Sequence, residues 1–223
     1  MINLFSGLVV KQPLVESIIP DFEAESGEEV ACTFEPTQAL LERIAQGSVP
    51  DLLIGTASAL DDLVATGVME SAVTIAVSTI GFARRPGSPG PADDEQSSFL
   101  DYLRSARSVA YSLSGASGLH FMRVMESHGA LGEIDTRATR LPTGLTAEAL
   151  FDGRADVAIQ QMSELRAVSG DHIVRPIPHA LQSYAAFAVG SRPGAPAAAK
   201  RLQAALTEEA AQRAFTAVGL AAP

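Results

Sequence analysis

Short apolar, β-branched runs alternate with amphipathic helical stripes along this chain, and that alternation constrains its fold more than any other feature. Each predicted strand is followed by apolar residues at helical spacing, as in the stripes at 37–45 and 117–128. Strand–helix–strand alternation predicts parallel sheets covered by helices, so the expected fold class is α/β. The predicted strands lie at residues 2–5, 30–34, 51–55, 109–112, 138–141 and 157–159.

The alternation is interrupted once, by a long β-branched run at 73–83 and a Pro- and Gly-rich loop at 86–91. Such a composition shift is typical of a boundary between domains. The β/α pattern then restarts, and a further predicted strand at 184–189 precedes an Ala-rich helical end at 195–218. We therefore predict two successive β/α units joined by a long strand.

Charge and cysteine content exclude several classes of function. The 223 residues include 16 Lys and Arg against 26 Asp and Glu, a net charge of −10. An acidic chain lacks the electrostatic footprint of a nucleic-acid or anionic-lipid binder, but backbone N–H groups can still bind a small anion. The single cysteine, Cys32, excludes an intrachain disulfide, and the four histidines lack metal-ligand spacing. We expect neither a metal nor another cofactor.

The start of the chain and its apolar runs bear on location. Residues 2–5 read as a strand and not as a signal peptide, and the uncharged run at 71–83 is too short to span a membrane. The chain as written is therefore expected to be cytoplasmic, without membrane insertion. It would be periplasmic if a signal peptide had been removed.

Ligands of open α/β sheets bind at the turns that follow the strands. Four of five such turns offer a small hydroxyl with a glycine or a helix start beside it. Hydroxyls, N–H groups and helix dipoles together suit a dehydrated anion, without any Lys or Arg. The alternative is ordinary helix capping and turn formation, which favours the same residue types. The candidate ligand-binding residues are Ser6, Gly7, Thr37, Ser114, Ser117, Gly118, Thr143, Gly144, Gln160 and Gln161.

Two titratable residues near these turns are candidates for acid–base chemistry. His120 lies in the first turn of the predicted helix after Gly118, and Glu35 lies close to Thr37. If the chain is an isomerase, either residue could act as its base. The alternatives are a partly exposed helix residue for His120 and a solvated loop carboxylate for Glu35.

Several segments in this order resemble the type II periplasmic solute-binding proteins, specifically the molybdate-binding protein family. The most specific is residues 44–54, Ile-Ala-Gln-Gly-Ser-Val-Pro-Asp-Leu-Leu-Ile. Phe5-Ser6-Gly7, residues 19–23, Ala116-Ser117-Gly118 and residues 153–156 extend the resemblance over almost the whole chain.

This resemblance implies two lobes, residues 1–78 with 185–223 and residues 79–184, each a β/α sheet. It also implies a ligand cleft between the lobes, with two crossover strands as the hinge. By position, the family's ligand hydroxyls fall on Ser6 and Thr37, and its backbone donors fall near Ser117–Gly118 and Thr143–Gly144. An exported binding protein of this kind would deliver its ligand to an ABC-transporter permease.

One departure from the family's pattern widens the range of ligands. Gln161, preceded by Gln160, stands where the family's molybdate binders carry a tyrosine, and adjacent amides can also recognise carboxylates. A branch of the same fold, the aconitate isomerase-like proteins, resembles this chain too.

The leading interpretation is binding of a small anion, either a molybdate-like oxyanion or a small carboxylate. The alternatives are a cytoplasmic isomerase that performs a 1,3-proton shift on a polycarboxylate such as aconitate, and a sensor that uses the same site.

Overall fold

The computed structural model describes residues 1–223, and its chain divides into two compact units. Unit 1 comprises Met1–Ser78 and Ala185–Pro223, and unit 2 comprises Thr79–Tyr184. Each unit combines β-strands with covering helices, which confirms the predicted α/β class. No helix is both long and apolar enough to cross a bilayer.

The elements are named here in chain order. The strands are β1 (Ile2–Ser6), β2 (Val30–Phe34), β3 (Leu52–Thr56), β4 (Ser71–Arg84), β5 (Val109–Ser112), β6 (Thr139–Leu141), β7 (Val157–Gln161), β8 (Ile173–Pro176) and β9 (Tyr184–Ser191). The helices are α1 (Lys11–Pro13), α2 (Ile19–Ser26), α3 (Thr37–Ala45), α4 (Ala57–Ala65), α5 (Gln96–Ser105), α6 (Ala116–Ser127), α7 (Leu131–Asp135), α8 (Glu148–Phe151), α9 (Met162–Arg166), α10 (Ala197–Ala205) and α11 (Glu209–Ala217).

In unit 1, β1 is central and runs parallel to β2 on one side and β3 on the other. Strand β9 pairs with β3 in the antiparallel direction, so the expectation of purely parallel sheets is wrong here. The reason is its connection, because β9 enters from unit 2 and does not follow a crossover helix. In unit 1, only β1, β2 and β3 are connected through crossover helices, and such connections force parallel pairing.

The first helical segment of unit 1 is distorted near Pro20. A 3₁₀ turn (Leu8–Val10) and α1 lead into a π-helical turn (Leu14–Ile18), and α2 follows directly with Pro20 near its start. Proline has no N–H and its ring crowds the carbonyl four residues earlier, so a wider turn just before it relieves both problems. The π-helical turn therefore ends two residues before Pro20, which lies in the first turn of α2.

Both faces of the unit 1 sheet are buried, which explains its nearly continuous apolar strands. Leu4 and Leu52 point into a core closed by α2, α10 and α11. Phe5 and Leu53 point to the opposite face, where they pack with residues of α3 and α4 such as Leu60. The strand ends of unit 1 are thus fixed by packing from two sides.

The sheet of unit 2 has the strand order β6-β5-β7-β4. Strand β5 is parallel to β6 and β7, whereas β4 is antiparallel to both β7 and β8. Gln160 and Gln161 were expected in a turn after the strand, but they are the last two residues of β7. The short helices α7 and α9 were not predicted, because a few residues carry too little helical periodicity.

Candidate functional site

The carboxyl ends of three parallel strands meet at one edge of the unit 1 sheet. Ser6 pairs with Phe34 of β2 and with Ile54 of β3, which aligns the three strand ends. The Gly7 N–H donates to Ile54 O at 2.8 Å, and the Glu35 N–H donates to Ser6 O at 3.2 Å. The unit 1 donor group, as we call it, is Ser6, Gly7, Thr37, Gly55 and Thr56.

Thr37, the first residue of α3, lies against two of these strand ends. A Cβ on Gly55 would lie 3.0 Å from Thr37 Cγ2, and one on Gly7 would lie 3.8 Å from Thr37 Oγ1. The Thr37 side chain is partly exposed and its hydroxyl has no hydrogen-bond partner within the protein. Ser6 differs, since it is fully buried and its hydroxyl donates to Gly7 O at 3.0 Å.

Gly55 and Thr56 of this group were not among the residues predicted from the sequence. They are the last two residues of β3, as Ser6 is the last residue of β1, and Thr56 is the N-cap residue of α4. The signal was a small residue and a hydroxyl at the end of the third strand, which matched the pattern used for the other strands.

Three parallel strands also end together in unit 2. Ser112 of β5 pairs with Leu141 of β6, and Ala110 pairs with Ala158 of β7. The loop after β5 is fastened to the loop after β6, because the Ser114 hydroxyl donates to Pro142 O at 2.8 Å. The unit 2 donor group is Ser114, Ser117, Gly118, Thr143, Gly144, Gln160 and Gln161.

The turn that starts α6 is clamped onto the end of β5. The Ser112 hydroxyl accepts the Gly115 N–H at 2.9 Å and the Ser114 N–H at 3.3 Å. A Cβ on Gly118 would lie 1.7 Å from Ser112 O, so only glycine fits there. Like the first residues of any helix, Ala116, Ser117 and Gly118 direct N–H groups away from the helix without intrahelical acceptors. The nearly buried Ser117 hydroxyl has no partner within the protein.

The Gln160 side chain holds the loop after β6 in place. Its Oε1 accepts the Thr146 N–H at 2.7 Å and the Thr146 hydroxyl at 3.0 Å, and its Nε2 donates to Gly144 O at 3.2 Å. Thr143 and Gly144 are exposed, and Gly144 has a φ of +94°, which favours glycine. The amide of Gln160 thus orders the loop that contains Thr143 and Gly144. A direct contact between Gln160 and a ligand stays a prediction.

Glu164, which the analysis of the sequence passed over, adjoins this network at the start of α9. Its Oε2 accepts the Gln161 N–H at 3.4 Å, and its carboxylate also bonds the Gln160 side chain. Burial raises the pKa of Glu164 to about 7, more than these hydrogen bonds lower it. The glutamate three residues after the end of a strand was the available signal.

The two candidate bases already have partners inside their own units. His120 Nε2 lies 2.9 Å from Leu181 O, where the ring can only donate. Glu35 forms an ion pair with Arg43, whose Nε donates to the carboxylate at 2.8 Å. That hydrogen bond lowers the pKa of Glu35 and makes it a weaker base. The catalytic roles of both residues stay predictions.

Two β/α units, with the chain passing between them in β4 and again at β9, define the type II periplasmic-binding-protein fold. In each unit, small polar residues and glycines lie together at strand ends. The chain belongs to the bacterial extracellular solute-binding protein family, whose family model matches residues 2–221.

The chain is also similar to individual proteins and solved structures. The chain is 32% identical to an aconitate isomerase from a Pseudomonas species over 216 residues, which is 92% of this chain and 82% of the relative. Among solved structures, the periplasmic molybdate-binding protein of Azotobacter vinelandii matches with a TM-score of 0.82 at 16% identity, over 100% of both chains. The sulfate-binding protein SubI of Mycobacterium tuberculosis H37Rv matches with a TM-score of 0.75 at 18% identity, over 98% of this chain and 85% of that one. At such identities, the two structures show the fold.

Proposed function

We propose that this protein binds a small carboxylate anion through uncharged donors. The observation that carries the proposal is a set of strand-end hydroxyls without hydrogen-bond partners in the protein, those of Thr37, Thr56, Ser117 and Thr143. Neither donor group contains Lys or Arg. Such donors replace the water around an anion with fixed dipoles, and the adjoining starts of α3 and α6 add N–H groups.

One finding and one prediction from the sequence favour a carboxylate over a tetrahedral oxyanion. The finding is the relative that is 32% identical over most of both chains, which is named for aconitate, a tricarboxylate. The prediction is that Gln161, which is buried at the end of β7, takes the position of the tyrosine of the resembling molybdate binders. Molybdate and sulfate stay in the test as competing ligands.

A thermal-shift panel tests the proposal with cis-aconitate, trans-aconitate, citrate, molybdate, tungstate and sulfate. A ligand at 100 times its Kd stabilises the folded state by about 2.7 kcal/mol, which raises Tm measurably. We expect Thr37→Ala and Ser117→Ala to reduce the shift. Thr66→Ala and Ser97→Ala remove exposed hydroxyls outside the donor groups, one in each unit, and should keep it. The absence of a shift with every anion would contradict the proposal.

A second candidate function is isomerisation of a polycarboxylate, which the 32% identity to an aconitate isomerase favours. In a 1,3-proton shift, a base removes a proton from one carbon, the double bond moves, and a proton returns to a different carbon. Donors that stabilise the intermediate enolate are required as well as the base. His120 and Glu35 are the bases predicted from the sequence.

Isotope exchange separates the isomerase from a binding protein. Wild-type protein with cis-aconitate in deuterated water should incorporate deuterium at carbon if it is an isomerase, and His120→Ala or Glu35→Ala should abolish the incorporation if that residue is the base. His128→Ala, an exposed histidine at the end of α6, is the matched control. Binding without exchange would remove the isomerase and leave the binding function.

Location and partner belong to the same proposal. The family is described as extracellular, which favours the periplasmic alternative over the cytoplasmic expectation and makes an ABC-transporter permease the proposed partner. Fractionation of cells that express the gene from its natural start, followed by immunodetection, tests the location. Recovery only in the cytoplasm would exclude the transporter role.

A further inference from the structure

We propose that Glu164 is a proton-linked positioning residue for the unit 2 donor group, so that this group binds its anion together with a proton. The inference rests on the proposed function and adds a property to it. Affinity for the anion should then be higher at pH 6 than at pH 8.

Gln160 links Glu164 to the loop that contains Thr143 and Gly144. The Gln160 Oε1 accepts two hydrogen bonds from Thr146. Its Nε2 donates to Gly144 O and to the Glu164 carboxylate. A glutamine amide has two donor hydrogens and two acceptor lone pairs. All four positions are therefore used, and the amide cannot turn without breaking several bonds. The protonation state of Glu164 thus acts directly on the group that orders the loop with Thr143 and Gly144.

No cation neutralises Glu164. None of the ion pairs in the protein includes it. The elements packed around α9 carry these charged and titratable residues: Arg166 on α9 itself, Arg175 on β8, His172 just before β8, Arg84 on β4 and Glu148 on α8. His172 is engaged with backbone carbonyls, its Nε2 2.8 Å from Leu165 O, and Arg84 donates to Ser88 O at 2.7 Å. The side chains of Arg166, Arg175 and Glu148 are exposed.

The environment of the Glu164 carboxyl determines whether anion affinity rises or falls with pH. Part of the residue surface stays accessible, but the carboxyl itself is densely surrounded, and this burial places its pKa near 7. A second negative charge held at the Thr143–Gly144 loop disfavours the ionised carboxylate and raises that pKa further. By linkage, anion binding then takes up a proton, and a rise in pH weakens binding.

Isothermal titration calorimetry with trans-aconitate tests the inference, at pH 6, 7 and 8 and in two buffers of different ionisation enthalpy. Relative to Glu164→Gln, the wild-type Kd should rise by about fivefold from pH 6 to pH 8, the effect of a one-unit rise on binding in a pKa that starts near 7. Wild type should also take up more protons at pH 7 than Glu164→Gln. The comparison cancels the ionisation of the ligand itself.

Two further variants keep the test decisive. Glu164→Asp retains a titrating carboxyl and should keep a pH-dependent affinity, which a purely structural role of Glu164 does not predict. Glu148→Gln removes an exposed carboxylate of α8 and should behave as wild type. Equal pH dependence in wild type and Glu164→Gln would overturn the role of Glu164 while anion binding stands. Absence of binding at every pH would instead overturn the proposed function, and this inference with it.

Discussion

The two donor groups sit at equivalent strand ends but are supported in different ways. In unit 1, Thr37 is positioned by packing against Gly7 and Gly55, and its hydroxyl is unpaired. In unit 2, the Ser112 hydroxyl and the Gln160 amide tie the two loops to the sheet through one buried and three partly buried hydrogen bonds, and the Ser114 hydroxyl joins the loops to each other. Unit 2 is therefore the more rigidly preorganised group, and unit 1 is the more adaptable one.

The largest expected effect is the loss of stability when one glycine of each donor group is replaced by alanine. In Gly118→Ala the new Cβ would meet the Ser112 backbone oxygen at 1.7 Å, so the strand end or the helix has to move. In Gly55→Ala the nearest atoms are side-chain methyl groups of Thr37 and Leu60 at 3.0 and 3.1 Å, which can shift. Overpacking costs about 1–3 kcal/mol and sometimes more, so we expect at least about 3 kcal/mol for Gly118→Ala and about 1 kcal/mol for Gly55→Ala.

Urea unfolding followed by circular dichroism measures both values. Gly132→Ala, in α7, is the control, because a Cβ there meets no atom within 4 Å. Equal losses for Gly118→Ala and Gly55→Ala would contradict the stated difference in rigidity.

The next effect separates stability from binding. Gln160→Ala leaves the buried Thr146 N–H without its acceptor, which costs about 1–3 kcal/mol for an unsatisfied buried donor. Thr37→Ala removes a partly exposed hydroxyl with no bond to lose, so its cost should stay within about 0.5 kcal/mol. Both should weaken anion binding, and urea unfolding with parallel ligand titrations distinguishes them. A stability loss for Thr37→Ala as large as that for Gln160→Ala would show that Thr37 is structural.

The same difference explains what the sequence could predict. The strand-end hydroxyls, Thr37 and Ser117 among them, could be found because a small polar residue after an apolar run is a local signal. Their supports could not, since the bonds from Gln160 to Thr146 and Gly144 join residues 14 and 16 positions apart. The direction of β9 was also beyond local reading, because it depends on where the chain re-enters the sheet. Glu164 lies only three residues after the end of β7, so its position could be noticed in the sequence. Its raised pKa could not, because that comes from burial in the fold.

A smaller effect is the energetic coupling between the two donor groups. The family resemblance predicts that both groups bind one anion, and the coupling tests this. A double-mutant cycle with Thr37→Ala, Ser117→Ala and the double variant measures the coupling in anion affinity. Residues that share one ligand couple by about 0.5–3 kcal/mol, whereas independent sites add within about 0.3–0.5 kcal/mol. Thr66→Ala combined with Ser117→Ala is the control and should be additive. Additive losses in the test cycle would mean that each group binds its own anion.

The smallest expected effect concerns two exposed ion pairs, Glu35–Arg43 in unit 1 and Asp152–Arg154 in unit 2. In each, a hydrogen bond from the arginine lowers the pKa of the carboxyl. A lowered pKa stabilises the folded protein above the unfolded-state value, and that contribution is lost as pH falls through the folded-state value. Because exposed pairs contribute little, Arg43→Ala and Arg154→Ala should leave Tm at pH 7 nearly unchanged.

The informative readout of Arg43→Ala is therefore the titration of Glu35, followed by carboxyl-carbon NMR. Its pKa should rise toward the ordinary value of 4.5, and Arg154→Ala should leave it unchanged. A rise makes Glu35 a stronger base, so an isomerase that uses Glu35 should exchange deuterium faster in Arg43→Ala. An unchanged exchange rate, with the NMR shift present, would remove Glu35 as the base and leave His120 as the residue to test. No change in the Glu35 titration would instead mean that the ion pair does not persist in solution, which would remove this contact from the description of unit 1.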